Sequence, residues 1–563
     1  MIRIVLYLSI GCFVASSVQA QQDSLFTIVE KELKREMNAF SEISQRPYFL
    51  AYRINDMEIA SLGSSFGSLT SQFRDRARLL VTDVRVGDYQ FDNTHTLEDL
   101  DDMPYDDMIG QGGVAELPYD NRAEAIQVIL WQQTQNAYRA SLSMLKALKN
   151  SSQRGKPTTV ADFSKEKPEV YIDEPLIRFA DFYDKAQWED RIKKYSAPFL
   201  TNEAIVEGDA SLEVGTERKY FISSEGSRIA QNRTYAHLSI NAAIRADDGD
   251  IVPLHTSFYA EHPSQLPKDE DVMKAVSAML VTLGKLKTAP LAEPYTGPAI
   301  LHAKTAGVFF HEIFGHRVEG HRLKHNTDGQ TFKGKVNELV LPSSVSIVFD
   351  PTRKEFNGQA LNGHYLYDDE GVKARPVTVV EKGMLKSFLM SRTPIENFSQ
   401  SNGHGRAEAG AEAVARQSNL LITNEKPVKM TDLRKMLIAE CKKQKKSYGY
   451  LFMEVVGGFT TTDRYMPNAF NIFPTEVYRI YADGRPDELV RGVDLIGTPL
   501  AMFAEIKATD DQAEVFTGFC GAESGSVPVS ATSPSLFVKR IETQKKPVVQ
   551  VDKPLVVKPA ANQ

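Results

Sequence analysis

The chain has 563 residues, of which 42% are hydrophobic and 25% are charged. This composition is ordinary for a globular protein, and it excludes a mostly disordered chain, a collagen-like fibre and a disulfide-dense scaffold. The formal net charge of −7, from 66 basic and 73 acidic residues, gives no support to a nucleic-acid-binding surface. The chain contains three cysteines, Cys12, Cys441 and Cys520, and each needs its own explanation.

The first twenty residues have the pattern of a secretory signal peptide. Arg3 supplies a basic start, residues 4–14 form a short apolar run, and Val18 and Ala20 are small enough for a cleavage site. The apolar run is too short for an anchor helix that spans a bilayer, and no later stretch approaches a membrane span. We therefore expect cleavage near Ala20 and an exported protein, periplasmic or extracellular, that loses Cys12 with the signal.

Periodic apolar positions predict four helices in the first half. In the first of them, Leu25, Val29, Leu33 and Met37 recur at i, i+4 spacing on one stripe. The predicted helices cover residues 23–45, 122–149, 180–194 and 269–285. Runs rich in β-branched and aromatic residues predict strands at residues 48–52, 77–86, 212–214, 220–222, 234–243 and 252–259. We predict an α/β domain with a mixed sheet over residues 21–290 and assign no role to the Asp- and Gly-rich stretch at residues 91–120.

A proline-containing stretch at residues 289–298 separates the two halves, and we place a domain boundary there. The second half is predicted to consist mostly of short strands and turns, with strands at residues 344–349, 376–380 and 470–481 and a helix at residues 430–446. We therefore predict an α+β protein whose second domain, residues 299–540, is strand-rich with a barrel-like sheet. The proline-containing tail, residues 541–563, is predicted to be extended and flexible.

The residues that carry chemistry are concentrated at the start of the second half. Five of the eleven histidines lie within residues 302–325, and His311, Glu312 and His316 form an HExxxH motif. In the familiar HExxH motif, two histidines at i and i+4 share one helical face and bind zinc. Here the histidines are five residues apart, which on a regular helix separates them by about 140°. A π-bulge, or a helix that loosens at Gly315, would bring them together.

A catalytic zinc needs three protein ligands, and HExxxH supplies two. The nearby candidates for the third are Glu319, His321 and His325, and the remote candidate is Cys520. Histidine clusters also occur as solvated polar patches, so the motif alone leaves both interpretations open.

The two later cysteines have different settings. Cys441 follows Leu433 and Leu437 at intervals of four in the helix predicted over residues 430–446, which indicates a small buried hydrophobe. Cys520 lies among glycines in a stretch that we predict to be a polar loop. Composition alone leaves Cys520 as a metal ligand, a nucleophile or one half of a disulfide bond to Cys441.

The second half resembles the TldD/PmbA-type metalloprotease family. The motif HEIFGHRVEG at residues 311–320 is similar to the family pattern, and three further segments follow it in the family's order. These segments are YDDEG at residues 367–371, SNGHGR at 401–406, and the run at 492–538 that includes LIGTP and CGAESGSVPVSATSPSLFV. The first half resembles the family loosely, in its order of helices and strands.

The resemblance implies a zinc site and a catalytic role for specific residues. It implies that His311, His316 and Cys520 bind Zn²⁺ and that Glu312 is the catalytic acid/base. Such a site hydrolyses a peptide bond with a water that the metal acidifies and the glutamate deprotonates. PmbA-like partner subunits lack HExxxH, so this chain resembles the catalytic, TldD-like kind.

The resemblance also implies a peptide substrate in an extended conformation and a dimer, either with a second copy or with a PmbA-like paralogue. Glu319 either supports His316, which we favour, or is a solvent-facing carboxylate, while His321 and His325 are predicted to be solvated polar residues. His404 and Arg406, in SNGHGR, are predicted either to face the substrate or to form a plain turn.

Two alternatives from other classes of protein remain open. The first is a non-catalytic partner subunit in which the metal only stabilises the fold, although such a site would not need Glu312. The second is a binding protein stabilised by a disulfide bond between Cys441 and Cys520.

Overall fold

The computed structural model describes residues 23–96, 113–150, 159–324, 330–462 and 469–546. The signal-like residues 1–20 with Cys12, as well as His325 and the tail from residue 547, lie outside the described residues. The stretch at residues 91–120 is described in part. In the described parts of the chain, no helix has both the length and the apolar character needed to cross a membrane.

The first half forms one sheet with helices packed against it. Its helices are α1 (Ser24–Phe40), α2 (Ala123–Asn150), α3 (Phe179–Phe182), α4 (Lys185–Ser196) and α5 (Asp269–Leu286). Its strands are β1 (Pro47–Ser65), β2 (Ser68–Val86), β3 (Ala115–Glu116), β4 (Val170–Ile172), β5 (Ile205–Ser223), β6 (Arg228–Arg245) and β7 (Ile251–Ala260). The strand order is β3-β2-β1-β5-β6-β4, and β7 also pairs with β6. Because β4 runs parallel to β6 and the other pairs are antiparallel, the sheet is mixed, as predicted.

Several elements of this half differ from the prediction in extent. The two strands predicted at residues 212–214 and 220–222 are parts of the continuous strand β5. The helix predicted over residues 180–194 is interrupted, because Asp184 caps a new helix by accepting a hydrogen bond from the Gln187 backbone N–H at 3.2 Å.

Within the residues that the structure describes, the second half forms an eleven-stranded sheet with helices of its own. Its helices are α6 (Ala303–Ile313), α7 (Met430–Lys443) and α8 (Pro499–Ala504). Its first strands are β8 (Tyr295–Leu301), β9 (Val345–Phe349), β10 (Glu355–Phe356), β11 (Gln359–Ala360), β12 (Val377–Glu381), β13 (Met384–Leu385), β14 (Gly405–Arg406), β15 (Val414–Ala415) and β16 (Asn419–Asn424). The remaining strands are β17 (Tyr448–Thr460), β18 (Phe470–Tyr481), β19 (Glu488–Val490), β20 (Val493–Gly497), β21 (Ile506–Ala522) and β22 (Gly525–Lys545).

The large sheet has the strand order β13-β12-β9-β16-β22-β20-β18-β17-β8, with β19 and β21 as side branches. Strand β8 pairs with both β17 and β22. The path from β22 through β20, β18, β17 and β8 therefore returns to β22. Helix α6 packs against this group of strands, and Gly307 allows a close approach because a Cβ there would lie 2.9 Å from the Ala531 carbonyl oxygen. The α+β class with mixed sheets is confirmed, and the fold seats α6 inside the second half.

Two predictions about the end of the chain are wrong. Cys520 does not lie in a loop but in β21, where it pairs with Val527 of β22 in a β-hairpin. The tail does not begin at residue 541, because β22 continues to Lys545 and the buried Ile541 pairs with Gly297 of β8. Glycines close to Cys520 suggested a loop, but sheet pairing determines the conformation of these residues.

Candidate metal centre

Helix α6 ends within the HExxxH motif, and this position decides how the two histidines face each other. The helix ends at Ile313, and the next turn, Gly315–Val318, is a tighter 3₁₀ turn that carries His316. The change of helix type brings the two imidazole rings to a centroid separation of 5.1 Å. The loosening predicted at Gly315 therefore occurs where the spacing requires it.

Gly315 is required for a second reason, which is steric. A Cβ at this residue would lie 1.8 Å from the side-chain oxygen of Gln417, so no larger residue fits without a shift of the backbone or of that amide. The amide of Gln417 thus packs directly against the turn between the two histidines.

The structure brings together the three residues that the resemblance implies as ligands. His311, His316 and Cys520 each offer one ligand atom, and these atoms all lie within 4.8 Å of one another. All three residues are buried, and the Cys520 Sγ lies 3.4 Å from the His316 Nε2. Two imidazole nitrogens and one thiolate are a donor set that suits zinc and leaves a fourth position open.

The charges in this cluster favour a thiolate. Burial alone would raise the pKa of Cys520, but His316 and His311 lower that pKa well below its usual value. Burial alone would lower the pKa of His316, but Cys520 and Glu319 raise that pKa well above its usual value. A proton and a divalent cation compete for such a cluster, because the same thiolate and imidazole atoms attract both.

Glu319 supports His316, as predicted. Its carboxylate is fully buried and accepts a hydrogen bond from the His316 Nδ1 at 3.1 Å and another from the Arg322 Nε at 2.9 Å. Burial raises the pKa of Glu319, but the positive charges of His316 and Arg322 outweigh it and lower the pKa to about 2. A carboxylate on Nδ1 orients the ring and leaves Nε2 for a metal.

His321 does not lie in solvent, contrary to the prediction. Its side chain is buried and contacts Glu523 at the tip of the β21–β22 hairpin, and Arg322 donates to the same carboxylate at 2.8 Å. The turn after the HExxxH motif therefore binds the hairpin that carries Cys520.

His404 and Arg406 are internal residues of the SNGHGR segment. The His404 ring is fully buried and contacts the Ser418 hydroxyl at 3.0 Å, and burial lowers its pKa to about 3, so it is neutral at physiological pH. Arg406 donates to the carbonyl oxygens of Gln417 and Pro528, the latter at 2.8 Å. Neither residue lines the cleft described below.

Glu312 lies beside the cluster and also faces an open cleft. One of its carboxylate oxygens is 4.0 Å from the His316 Nε2. Burial raises the pKa of Glu312, and the nearby His311 and His316 partly offset this effect. A carboxylate with a raised pKa is suited to accept and return a proton.

The cleft has a volume of about 850 Å³ and lies between the two halves. His311 and Glu312 line it together with three strands: residues 255–260 of β7, residues 454–458 of β17 and residues 515–519 of β21. Within the described residues, β7 pairs with β6 alone, and β21 pairs over residues 515–519 with β22 alone. Both strands therefore carry an unpaired edge.

Two residues at the cluster were not predicted from the sequence. Arg416 donates a hydrogen bond to the Cys520 Sγ at 3.2 Å, and Gln417 donates one to the His311 carbonyl oxygen, also at 3.2 Å. No spacing pattern connects them with the ligands, since the contacts span more than 100 residues of sequence.

The disulfide alternative is wrong, because Cys441 and Cys520 are both free thiols. Cys441 is buried in α7 with Leu433 and Leu437, as predicted, and burial raises its pKa to about 11. An unreactive thiol in an apolar helix contact is a packing residue.

Comparisons with known proteins relate the second half of the chain to a family of metallopeptidases. Residues 294–545 match the family described as the PmbA/TldA metallopeptidase C-terminal domain. An Archaeoglobus fulgidus protein named metalloprotease is 32% identical over 241 residues, which cover 43% of this chain and 51% of that protein. A Saccharolobus solfataricus protein named zinc metalloprotease TldD homolog is 24% identical over 327 residues, which cover 58% of this chain and 68% of that protein. The chain thus matches between half and about two thirds of the length of these relatives.

A crystal structure of TldE from Thermococcus kodakarensis has a similar fold. It aligns with a TM-score of 0.61 and 14% sequence identity, and the alignment covers 92% of this chain and 100% of that one. A crystal structure of a Thermotoga maritima protein aligns with a TM-score of 0.60 at 17% identity, with the same coverage. Identities this low are evidence for the fold alone.

Proposed function

Because this chain belongs to the TldD/PmbA family, we propose that it is a zinc-dependent peptidase that hydrolyses short or unfolded peptides. One observation carries the proposal: the ligand atoms of His311, His316 and Cys520 converge within 4.8 Å beside Glu312, at the wall of a cleft.

In this proposal, His311, His316 and Cys520 hold the zinc ion. When bound, zinc supplies Lewis-acid chemistry, since it polarises a carbonyl group and lowers the pKa of water. Glu319 keeps the His316 ring in the orientation that directs Nε2 towards the Cys520 Sγ. The metalloprotease names of the relatives, one of them a zinc metalloprotease, support a metal of this kind.

Glu312 is the proposed general base and acid. It lines the cleft, so its carboxylate is within reach of a water and a peptide bound there. It takes a proton from the attacking water and later gives a proton to the leaving amine. Burial raises its pKa, which makes the carboxylate a better base than a solvated one.

The proposed substrate is a peptide in an extended conformation. Strands β7 and β21, each with an unpaired edge, line the cleft, and a peptide strand added to either edge would gain backbone hydrogen bonds without strong side-chain selectivity. Because both halves form the walls of the cleft, we expect it to admit an extended chain and to exclude a folded protein.

We further propose export and dimer formation. The basic start, apolar run and small residues of the first twenty positions support export. Membership of the TldD/PmbA family supports a dimer, either with a PmbA-like paralogue or of two copies.

Zinc analysis of purified variants, combined with a peptidase assay on unstructured peptides, tests the proposal. We expect one zinc per wild-type chain and a loss of zinc in His316→Ala and Cys520→Ser. Glu312→Gln should keep the zinc and lose about 10²- to 10⁴-fold in turnover. Cys441→Ser is the matched control, because this thiol packs in α7 and should affect neither quantity.

Three results would contradict parts of the proposal. Unchanged zinc in both ligand variants would refute the site. Full activity of Glu312→Gln would refute the role of that carboxylate. A wild type that binds zinc but cleaves no peptide would favour a non-catalytic subunit.

A further inference from the structure

The two consecutive residues Arg416 and Gln417 contact two of the three proposed ligands, Cys520 and His311, and Arg416 reaches the third, His316, through Glu319. They lie between β15 and β16, in a segment that the proposed chemistry does not use. We propose that Arg416 is a positioning residue that fixes the Cys520 thiolate and, through Glu319, the His316 ring. This inference rests on the metal site of the proposed function.

The guanidinium of Arg416 donates hydrogen bonds to two atoms of Cys520. Its Nη2 donates to the Sγ at 3.2 Å and also to the carbonyl oxygen of the same residue. The side chain is fully buried, so the contact is shielded from water and salt. A charge-assisted hydrogen bond to a ligand sulfur stabilises the thiolate and sets the direction of its lone pairs.

The remaining nitrogens of the same guanidinium reach the hairpin turn and Glu319. Nη1 donates to the Ser524 hydroxyl at 2.7 Å and to the Gly525 carbonyl oxygen at 3.0 Å. Nε lies 3.5 Å from one oxygen of Glu319, and the other oxygen of that carboxylate contacts His316. One planar group thus joins the hairpin of Cys520 to the carboxylate that orients His316, a geometry that a lysine ammonium does not reproduce.

Gln417 completes the arrangement at His311. Its amide nitrogen donates to the His311 carbonyl oxygen at 3.2 Å and lies 3.5 Å from the ring Nε2. Since this amide also packs against Gly315, it fixes the turn between the two histidines.

The SNGHGR segment holds Arg416 and Gln417 in place. The Arg416 backbone N–H donates to the His404 carbonyl oxygen at 2.9 Å, and Arg406 donates to the Gln417 carbonyl oxygen. The buried His404 ring contacts Ser418 from the same side. This explains why a histidine and an arginine lie in the segment without lining the cleft.

The YDDEG segment supports SNGHGR in turn. The Asp368 carboxylate accepts a hydrogen bond from the Gly405 backbone N–H at 2.9 Å, and the Asp369 carboxylate accepts one from the Ala407 backbone N–H at the same distance. The two acidic side chains therefore hold the backbone on both sides of Arg406. From YDDEG through SNGHGR to Arg416, a continuous series of hydrogen bonds reaches the ligands.

Cobalt binding to the full-length protein tests the inference, because a cobalt–thiolate bond gives a charge-transfer band in the near ultraviolet. Wild type should bind Co²⁺ with this band. Arg416→Met should lose about 10- to 100-fold in Co²⁺ affinity and show an altered band. Arg416→Lys keeps the charge but not the planar fork, so it should also bind more weakly, with an altered band. Arg491→Met is the matched control, since it removes another buried arginine, whose hydrogen-bond partners Asp248, Asp250 and Ala289 are not part of the cluster.

The outcomes are distinguishable. Wild-type affinity and an unchanged band in folded Arg416→Met would overturn the inference. If Arg416→Met does not fold, wild-type affinity and band in Arg416→Lys would overturn it instead. A wild type that binds no cobalt would overturn the metal site itself, and with it the proposed function. A changed band in Arg491→Met would mean that any lost buried arginine disturbs the site, and this result would also overturn the inference.

Discussion

The extra residue of the HExxxH motif is accommodated by one glycine. Helix α6 ends before Gly315, and the 3₁₀ turn that follows rotates His316 towards His311. The glycine also leaves room for the amide of Gln417, which a Cβ would meet at 1.8 Å. A single position thus meets the geometric requirement of both histidines.

Gly315→Ala is therefore expected to damage the metal site. The added methyl must displace either the Gln417 amide or the turn, and either movement shifts a ligand. We expect zinc content to fall by at least half and the free energy of unfolding to fall by about 1–3 kcal/mol, as in other overpacked sites. Zinc analysis and urea denaturation measure the two effects.

Gly284→Ala is the control for this substitution. Gly284 lies within α5, and a Cβ there meets no atom within 4 Å. Alanine should stabilise this helix by about 0.5–1 kcal/mol and leave zinc content unchanged. Equal zinc content in Gly315→Ala and wild type would contradict the proposed steric role of Gly315 at the metal site.

At the scale of elements, most helices and several short strands could be predicted from local pattern, whereas the full length of the long strands could not. The apolar spacing placed α2, α5 and α7 within three residues of their observed bounds and α1 within five, because i, i+4 stripes are local. Strand β1 runs for 19 residues, whereas its local composition suggested five, because pairing with β2 and β5 extends it. The hairpin that contains Cys520 was not predicted for the same reason, because it depends on pairing between β21 and β22.

The candidate ligands could be inferred from a family resemblance, but their supports could not. His311, Glu312 and His316 are close in sequence, whereas Arg416 reaches Cys520 across 104 residues. A contact of that kind depends on how β15, β16 and the β21–β22 hairpin come together, and no local pattern encodes this arrangement.

Helix α1 contains a buried carboxylate that its apolar stripe does not predict. The side chain of Glu36 is 2% exposed and pairs with Arg35 at 2.6 Å. The pKa of Glu36 is raised to about 7, chiefly because the side chain is buried. The charge of Arg35 lowers this pKa in part, and the neighbouring Glu32 raises it further. An unfolded glutamate titrates near pH 4.3.

Stability should therefore fall as the pH rises through this window. Between about pH 4.5 and 7 the folded protein keeps a proton on Glu36 that the unfolded chain releases, so the free energy of unfolding decreases. Glu36→Gln replaces the carboxyl group with an amide that does not titrate, so this contribution to the pH dependence disappears. We expect the difference in unfolding free energy between pH 5 and pH 8 to be smaller in the variant by about 2 kcal/mol. Urea denaturation at both pH values measures it.

Glu42→Gln, at an exposed residue just beyond α1, is the control and should follow the wild-type pH dependence. Parallel wild-type and Glu36→Gln curves would mean that Glu36 is not the titrating group.

At the scale of the whole molecule, the cleft is built from both halves. Strand β7 of the first sheet faces β17 and β21 of the second across the space beside Glu312. The relative position of the two sheets therefore sets the width of the proposed substrate site. Ion pairs that join the halves contribute to that position, among them the pair of Lys219 and Asp369 at 3.0 Å.

Arg491 joins the two halves just before the start of β7 by contacting two carboxylates. It follows β19, is 7% exposed, and donates to Asp250 at 2.7 Å, to Asp248 and to the Ala289 carbonyl oxygen at 3.1 Å. Removal of one member of a buried ion pair leaves the other charge without compensation. Arg491→Met should therefore lower the free energy of unfolding by about 3 kcal/mol, while cobalt binding stays unchanged.

Asp250→Asn should lower the free energy of unfolding by less on the Arg491→Met background than in wild type, because the ion pair is already broken. Additive losses in the double variant would show that the two residues do not interact.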